Sequence, residues 1–248
     1  MSQGVQGVNG LSWDPLCGMN QLTRRTWLAT VFAPLGVACV KKRSMAGANA
    51  IFIGTSITAG NHLGNPTVER FSTLVGNALS QLTVSNIGVP SSTCDSANQL
   101  ATANALVDPF KQNFAIIEFG PNDGLTKTAA EFEGDLATFV AGLDARFVPL
   151  PLTMLPCGSY DSVAFRAAIN PNTLATYAHV IDVGNISTTM GAEAAKNDGA
   201  LYSDTVHPTA FGNTLLAQSI ITVLQGLMIA PTFSSKRYQL IRSASRSR

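Results

Sequence analysis

The chain has 248 residues, of which 46% are hydrophobic and only 12% are charged, and its formal net charge is +1. This composition excludes an intrinsically disordered chain, which requires low hydrophobicity and a high net charge. The length is enough for one or two domains with a sizeable core. The charges are unevenly distributed, because residues 1–43 hold five basic residues and one acidic residue, and residues 236–248 hold five basic and no acidic residues. The sequence therefore predicts an acidic globular middle between two basic ends.

The first 43 residues contain an uncharged apolar run, residues 27–40, between Arg24-Arg25 and Lys41-Lys42-Arg43. A run of this length is too short to cross a bilayer comfortably as a helix, which takes about 20 residues. A basic start, an apolar centre and the small-x-small triplet Gly36-Val37-Ala38 are typical of an export signal, and residues 23–28 resemble a twin-arginine motif. We therefore expect export, or membrane association through residues 24–43. The alternative is an ordinary apolar helix packed on the domain of a cytoplasmic protein, which the positive charge after the run favours.

Residues 44–231 alternate short apolar runs with longer amphipathic stretches, a pattern typical of a parallel sheet covered by helices. The predicted strands are Ala48–Ile53, Leu82–Ile87, Phe114–Phe119, Phe147–Met154 and Tyr177–Val183. The predicted helices are Thr67–Leu82, Ser92–Val107, Ala129–Leu143, Ser162–Thr176 and Pro208–Leu227, with Thr128 and Asp161 as N-caps. Five parallel strands with right-handed crossovers form a three-layer α/β/α sandwich of one domain.

The C-terminal segment, residues 232–248, is basic and rich in serine and arginine, which predicts a disordered tail. Such a tail either solubilises the protein or holds an anionic surface, and no specific binding of nucleic acid is predicted. The four cysteines, Cys17, Cys39, Cys94 and Cys157, lack the paired spacing of a zinc site or a redox motif.

Ligands of open parallel sheets bind beyond the carboxyl ends of the strands, so the segments that follow the strands are the candidate site. The first three predicted strands are followed by Gly54-Thr55-Ser56-Ile57-Thr58, by Gly88-Val89-Pro90-Ser91-Ser92 and by Gly120-Pro121-Asn122-Asp123. A fourth segment, Asp204-Thr205-Val206-His207-Pro208, precedes the last helix. Together they offer a serine nucleophile, donors for an oxyanion and a histidine oriented by a carboxylate.

In order and spacing these four blocks resemble those of the SGNH hydrolases, also called the GDSL esterase and lipase family, over nearly the whole of residues 44–231. The resemblance implies a flavodoxin-like SGNH hydrolase fold and a serine esterase that needs neither metal nor cofactor. It assigns Ser56 as the nucleophile, and Asp204 and His207 as the rest of a catalytic triad. It also implies an oxyanion hole formed by the backbone N–H groups of Ser56 and Gly88 and the side-chain amide of Asn122.

The sequence departs from the family pattern at two positions. Thr55 stands where the family usually has aspartate before the nucleophile, a side chain that mainly organises the turn. Ser91 stands near the position of a further glycine that many members have in the second block, which alters the loop beside the pocket. The departure at Thr55 concerns local geometry more than chemistry.

Each assigned residue also has an ordinary structural use. Ser56 can cap a helix, Gly88 can form a tight turn, Asn122 can form an Asx turn, and Asp204 with His207 can form a surface turn. We interpret His62 and His179 as structural residues, with His62 at the pocket rim as the other reading. Glu118 and Asp123 suggest a carboxylate pair of a glycosidase, but Glu118 falls inside the third strand and Asp123 beyond it.

The leading hypothesis is a carboxylic ester hydrolase acting on an acyl or acetyl ester of a small molecule, a glycan or a lipid. A non-catalytic glycan-binding module on the same fold and an acyltransferase to a sugar hydroxyl are the alternatives. Because no long insertion between the blocks resembles a lid, we expect an open cleft suited to short acyl groups.

Overall fold

The structure is a computed structural model that describes residues 47–156, 162–184 and 200–229. Its centre is a parallel sheet of four strands: β1 Ala48–Gly54, β2 Leu82–Asn86, β3 Gln112–Glu118 and β4 Phe147–Pro151. The order across the sheet is β2-β1-β3-β4, and all three neighbouring pairs run parallel. The carboxyl ends of all four strands therefore lie at one edge, where the loops after β1, β2 and β3 begin.

The predicted fifth strand, Tyr177–Val183, is reduced to a single parallel bridge between Leu152 and Ile181. The bridge holds two backbone bonds, from Ile181 N–H to the Pro151 carbonyl (2.9 Å) and from Thr153 N–H to the Ile181 carbonyl (3.1 Å). Beyond it, the Val183 N–H donates to the Thr153 hydroxyl instead of to a backbone carbonyl. The described residues therefore form four strands instead of the predicted five. The Thr153 hydroxyl accepts the hydrogen bond from the Val183 N–H that a backbone carbonyl would accept in a longer strand.

Eight helical segments connect and cover the strands in the described part of the chain. They are α1 Ser56–Ala59, α2 Pro66–Glu69, α3 Phe71–Ala78, α4 Ala97–Ala105, a 3-10 turn Asp123–Leu125, α5 Ala129–Gly142, α6 Ser162–Thr176 and α7 Ala210–Ile229. No helix that the structure describes is long and apolar enough to cross a membrane.

The helix boundaries differ from the predicted ones in two places. The predicted helix 67–82 is broken at Arg70, whose extended backbone separates α2 from α3, and its last residue, Leu82, begins β2. The predicted helix 92–107 begins only at Ala97, because the residues before it form turns.

The N-cap predicted at Thr128 is confirmed. Its hydroxyl accepts from the Glu131 N–H while the Glu131 carboxylate accepts from the Thr128 N–H, which is a capping box. The second predicted N-cap, Asp161, lies outside the described residues.

The core lies on both faces of the sheet, which makes the predicted three-layer α/β/α sandwich. Phe52 and Phe114 point to the face covered by α3 and α7, and Ile51 and Ile117 point to the face covered by α4, α5 and α6. Every residue of β1 is buried, which explains why this strand is almost entirely apolar instead of alternating. Its one polar side chain, Asn49, donates to the Leu106 carbonyl and to Asn113 Oδ1.

Several predictions fall on residues that the structure does not describe. The predicted export or anchor segment, residues 1–43, and the predicted tail, residues 232–248, both lie there, as do Cys17, Cys39 and Cys157. Cys94 is described and is a buried free thiol whose pKa is raised, mainly by burial. A thiol in this state is a poor nucleophile, so Cys94 is a core residue.

Candidate active site

The first loop presents Ser56 at the start of a single helical turn. Thr55, directly after β1, is the N-cap of α1, and its hydroxyl accepts from the Ile57 N–H at 3.2 Å. Gly60 ends the turn in the left-handed conformation, at φ 81°, which suits glycine. The Ser56 side chain is partly buried, and its backbone N–H donates to no group of the described residues. A sharp strand-to-helix turn thus leaves both a hydroxyl and an N–H donor at the sheet edge.

The fourth loop fixes a carboxylate against a histidine. Asp204 Oδ1 accepts from the backbone N–H groups of Val206 (2.7 Å) and His207 (2.6 Å), and Asp204 Oδ2 lies 2.8 Å from His207 Nδ1. Burial alone would raise the pKa of Asp204, but these donors and the His207 ring outweigh it and lower the pKa to about 2. Asp204 is therefore ionised at neutral pH and holds the hydrogen of His207 on Nδ1.

The two loops meet although Ser56 and His207 are 151 positions apart in the chain. His207 Nε2 lies 2.8 Å from Ser56 Oγ, on the side of the ring opposite Asp204. With the hydrogen on Nδ1, the Nε2 atom carries a lone pair that can accept the serine proton. The three residues selected from the sequence thus form one continuous hydrogen-bonded chain.

The Gly88 N–H, expected to face an oxyanion, instead donates to Asn86 Oδ1 at 3.0 Å. A Cβ at position 88 would lie 2.5 Å from the Ala59 nitrogen and 2.8 Å from the Thr58 carbonyl carbon. Glycine is therefore required here by the close packing of this loop against the end of α1.

Asn122 is held at the same edge by the second loop. Its Nδ2 donates to the Ser92 carbonyl at 2.9 Å, and the Ser92 hydroxyl donates to the Gly54 carbonyl at 3.0 Å. A primary amide has two N–H groups, so one fixes the side chain and the other is left to donate to a ligand. Ser91, in the same loop, has a φ of 62°, which lies in the left-handed region that favours glycine. Many family members have a glycine near this position.

His62, which the sequence offered as a structural residue or as the pocket rim, lies against the His207 ring. Its ring stacks on His207 with centroids 4.1 Å apart and planes 22° apart, and its Nδ1 lies 3.6 Å from Asp204 Oδ2. The nitrogen and oxygen atoms of His62, Asp204 and His207 lie within 4.8 Å of one another, a spacing that a metal ion can use. Both ring nitrogens of His207 already have partners, however, with Asp204 at Nδ1 and Ser56 at Nε2. The geometry suits stacking and hydrogen bonding better than metal coordination.

The carboxylate pair considered for glycoside hydrolysis does not face a common cleft. Asp123 is completely buried, where its Oδ1 accepts from the Cys94 N–H (2.9 Å) and its Oδ2 from the Gly120 N–H (3.1 Å). Glu118 is also buried, but it contacts the turn that carries Ser56. His179, the remaining histidine, is exposed and takes no part in the site.

The comparison with protein-family models matches residues 52–215 to the GDSL-like Lipase/Acylhydrolase family. A search of curated proteins found no match.

Solved structures share the fold. A member of the lipolytic protein G-D-S-L family from Veillonella parvula DSM 2008 aligns with a TM-score of 0.59 at 19% identity, over 72% of this chain and 99% of that one. A two-domain esterase (CEX) active on acetylated mannans aligns with a TM-score of 0.55 at 20% identity, over 77% of this chain and 53% of that one. A variant of Axe2, an acetyl-xylooligosaccharide esterase from Geobacillus Stearmophilus, aligns with a TM-score of 0.52 at 17% identity, over 72% of this chain and 95% of that one.

At such low identities, these similar structures establish the architecture alone. The family match covers well over half of the sequence and includes every block that carries a candidate site residue. The chain belongs to the GDSL-like lipase/acylhydrolase family, and so to the hydrolases that act on esters.

Proposed function

We propose that this protein is a serine hydrolase that cleaves carboxylic esters through an acyl-enzyme, with Ser56 as nucleophile, His207 as general base and Asp204 as the group that orients it. The observation that carries the proposal is the unbroken contact from Ser56 Oγ through the His207 ring to Asp204, with 2.8 Å at each step. A neutral serine hydroxyl is a poor nucleophile, so it needs a base within hydrogen-bond reach.

The chemistry proceeds in two halves. Ser56 Oγ attacks the ester carbonyl carbon while His207 Nε2 takes the serine proton, and the imidazolium is stabilised by the Asp204 carboxylate. The tetrahedral intermediate collapses when His207 returns this proton to the leaving alcohol, which leaves the acyl group on Ser56. Water then attacks the acyl-enzyme with His207 again as base, releasing the acid and regenerating the serine.

The oxyanion of the intermediate requires donors that are fixed before the reaction. The Ser56 N–H and the second N–H of Asn122 Nδ2 are the best placed candidates, since neither has a partner among the described residues. The Gly88 N–H is a weaker candidate, because it must share its hydrogen with Asn86 Oδ1. No step requires a metal or a cofactor.

For the substrate we propose an acetyl or other short acyl ester, carried by a carbohydrate. The side chains of Asp204 and His62 keep exposures of 37% and 52%, so this part of the site is open to solvent, which favours a short acyl group. Two proteins of the same fold are named as esterases of acetylated mannans and of acetyl-xylooligosaccharides, which supports this choice.

The nucleophile is tested with a fluorophosphonate probe and with hydrolysis of p-nitrophenyl acetate. We expect the probe to label Ser56, and Ser56→Ala to abolish both labelling and turnover. The matched control is Ser96→Ala at the N-cap of α4, a serine whose side chain makes no cap hydrogen bond; it should retain both. Normal turnover by Ser56→Ala would refute the proposal. Glycan binding without turnover in the unmodified protein would indicate the binding module instead.

The substrate class is tested with a panel of p-nitrophenyl esters and acetylated oligosaccharides. We expect kcat/KM to fall from acetate to octanoate and acetate to be released from acetylated xylo- or manno-oligosaccharides. A preference for octanoate would contradict the open cleft. Product analysis with and without acceptor sugars separates hydrolysis from acyl transfer.

The location of the protein is a separate proposal. We propose that residues 1–43 direct export or membrane association, as the basic and apolar pattern predicts. Intact mass of the protein recovered after expression tests cleavage, and a full-length protein in the cytosolic fraction would contradict it.

A further inference from the structure

The last residue of β3 is a buried acid that the proposed chemistry does not use. Glu118 pairs in register with Gly54, the residue at which β1 ends, and it retains only 5% exposure. No ion pair among the described residues includes it. A buried carboxylate without a cationic partner is costly, so its retention calls for an explanation in terms of its hydrogen bonds.

One oxygen of this carboxylate accepts three hydrogen bonds, all from the turn that carries the nucleophile. Glu118 Oε2 accepts from the Thr55 N–H at 3.0 Å, from the Thr55 hydroxyl at 2.9 Å and from the Thr58 hydroxyl at 2.9 Å. Thr55 and Thr58 are the residues immediately before Ser56 and two after it, and both are buried. The carboxylate thus binds the turn on both sides of the nucleophile.

The surrounding backbone makes room for this arrangement. A Cβ at Gly54 would collide with the Glu118 carbonyl oxygen and the Thr58 hydroxyl, and would lie 2.7 Å from Glu118 Oε2. On the opposite side, the Thr58 carbonyl accepts from Asn86 Nδ2 at 2.7 Å, so β2 also holds the turn. The one-turn helix α1 is too short to keep its shape by its own hydrogen bonds.

We propose that Glu118 is a positioning residue for the nucleophile: its carboxylate holds the Thr55–Thr58 turn so that Ser56 Oγ meets His207 Nε2 and the Ser56 N–H points into the site. This inference rests on the proposed function. The Thr55 hydroxyl donates its hydrogen to Glu118 while its lone pair caps α1 at Ile57, so Glu118 also sets the orientation of that cap. Without an acceptor at position 118, three buried donors lose their partner and the turn shifts to satisfy them.

The test compares Glu118→Leu, Glu118→Gln and Thr58→Val in steady-state hydrolysis of p-nitrophenyl acetate. Glu118→Leu removes the acceptor, and we expect kcat to fall about 10²-fold with KM within about twofold, the effect of misplacing a reacting group by roughly 1 Å. Glu118→Gln keeps a neutral acceptor and should recover part of this loss, about tenfold. Thr58→Val removes one donor and should lower kcat about tenfold.

The matched control is Asn113→Ala, which removes a buried, hydrogen-bonded side chain at the other end of the same strand. We expect it to lower the thermal stability, measured by circular dichroism. Its kcat, divided by the folded fraction from the same measurement, should stay within about twofold of wild type. If Glu118→Leu does not fold, Glu118→Gln and Thr58→Val carry the test. Equal kcat for wild type, Glu118→Gln and Thr58→Val would overturn the positioning role.

A second readout separates this inference from the proposed function. In a crystal structure of Glu118→Gln or Thr58→Val, we expect the Ser56 Oγ to His207 Nε2 distance to exceed the 2.8 Å of the native chain. An unchanged distance would overturn the positioning role whatever the activity. Turnover that survives Ser56→Ala would instead overturn the proposed function alone. The Ser56 Oγ to His207 Nε2 distance in the Glu118 and Thr58 variants would still show whether Glu118 positions Ser56.

Discussion

The protonation of Glu118 gives a prediction about stability that is independent of catalysis. Burial raises the pKa of this carboxyl from an ordinary 4.5 to about 7, against the opposing hydrogen bonds from Thr55 and Thr58. The folded state therefore binds this proton more tightly than the unfolded state does. The resulting stabilisation is complete below pH 4.5 and is lost as the pH rises through about 7.

The magnitude follows from the difference between the two pKa values. One pKa unit corresponds to 1.36 kcal/mol, so a rise from 4.5 to about 7 amounts to about 3 kcal/mol of unfolding free energy. Glu118→Gln cannot ionise and lacks this pH dependence, while the other titrating groups are common to both proteins. We therefore expect the free energy of unfolding of wild type, relative to Glu118→Gln, to fall by about 3 kcal/mol between pH 4.5 and pH 8.

The assay is urea denaturation of both proteins at half-unit intervals from pH 4.5 to pH 8. Glu133→Gln, a change at a partly buried position on α5 whose carboxylate accepts from Asn172 Nδ2, serves as the control for removing a carboxylate and should track wild type. A difference between wild type and Glu118→Gln that stays constant within about 0.5 kcal/mol over this range would refute the reasoning. It would mean that Glu118 ionises as readily in the folded as in the unfolded chain.

Three further predictions concern the site itself, each measured as kcat and KM for p-nitrophenyl acetate. Asp204→Asn should lower kcat by about 10³–10⁴, because the amide no longer holds the hydrogen of His207 on Nδ1; a loss below tenfold would contradict this role. Asn122→Ala should lower kcat by about 10²–10³ at nearly constant KM, since the donor acts on the transition state; a change confined to KM would count against it. His62→Ala should lower kcat/KM by about 2–10-fold through loss of ring stacking, with His62→Phe close to wild type; equal losses in both variants would show that stacking is not what His62 contributes.

Much of the fold was predictable because it depends on local sequence pattern. The strands β1, β2, β3 and β4 lie within a few residues of the predicted ones. The reason is clearest for β1 and β3, which are buried almost throughout, since a strand buried on both faces is apolar at most consecutive positions. The helix from Ala129 was predicted with Thr128 as its N-cap, which is a local signal, and the structure adds the Glu131 carboxylate that completes a capping box. The reduction of the fifth strand to one bridge and the break at Arg70 were not predictable, because both involve side chains from other segments. The Thr153 hydroxyl accepts from the Val183 N–H, and Asn213 Oδ1 accepts from the Phe71 N–H directly after the break.

The site divides in the same way. Ser56, Asn122, Asp204 and His207 were selected by short blocks and by their spacing, and the structure brings Ser56, Asp204 and His207 into contact. For His62 the sequence offered only a structural role or the pocket rim, because a ring stacked on His207 from a different loop leaves no pattern in the sequence.

By itself, the sequence determined the type of fold, the edge of the sheet where the chemistry lies and the residue types that supply it. Only the tertiary structure decided that Gly88 is a glycine because it packs against α1, and that Glu118 lies against the turn that carries Ser56. The spacing of the blocks that follow the strands reflects the length of one strand-helix-strand unit, so it is visible in the sequence. Contacts between residues some 60 positions apart depend on strand register and side-chain direction, which no local pattern encodes.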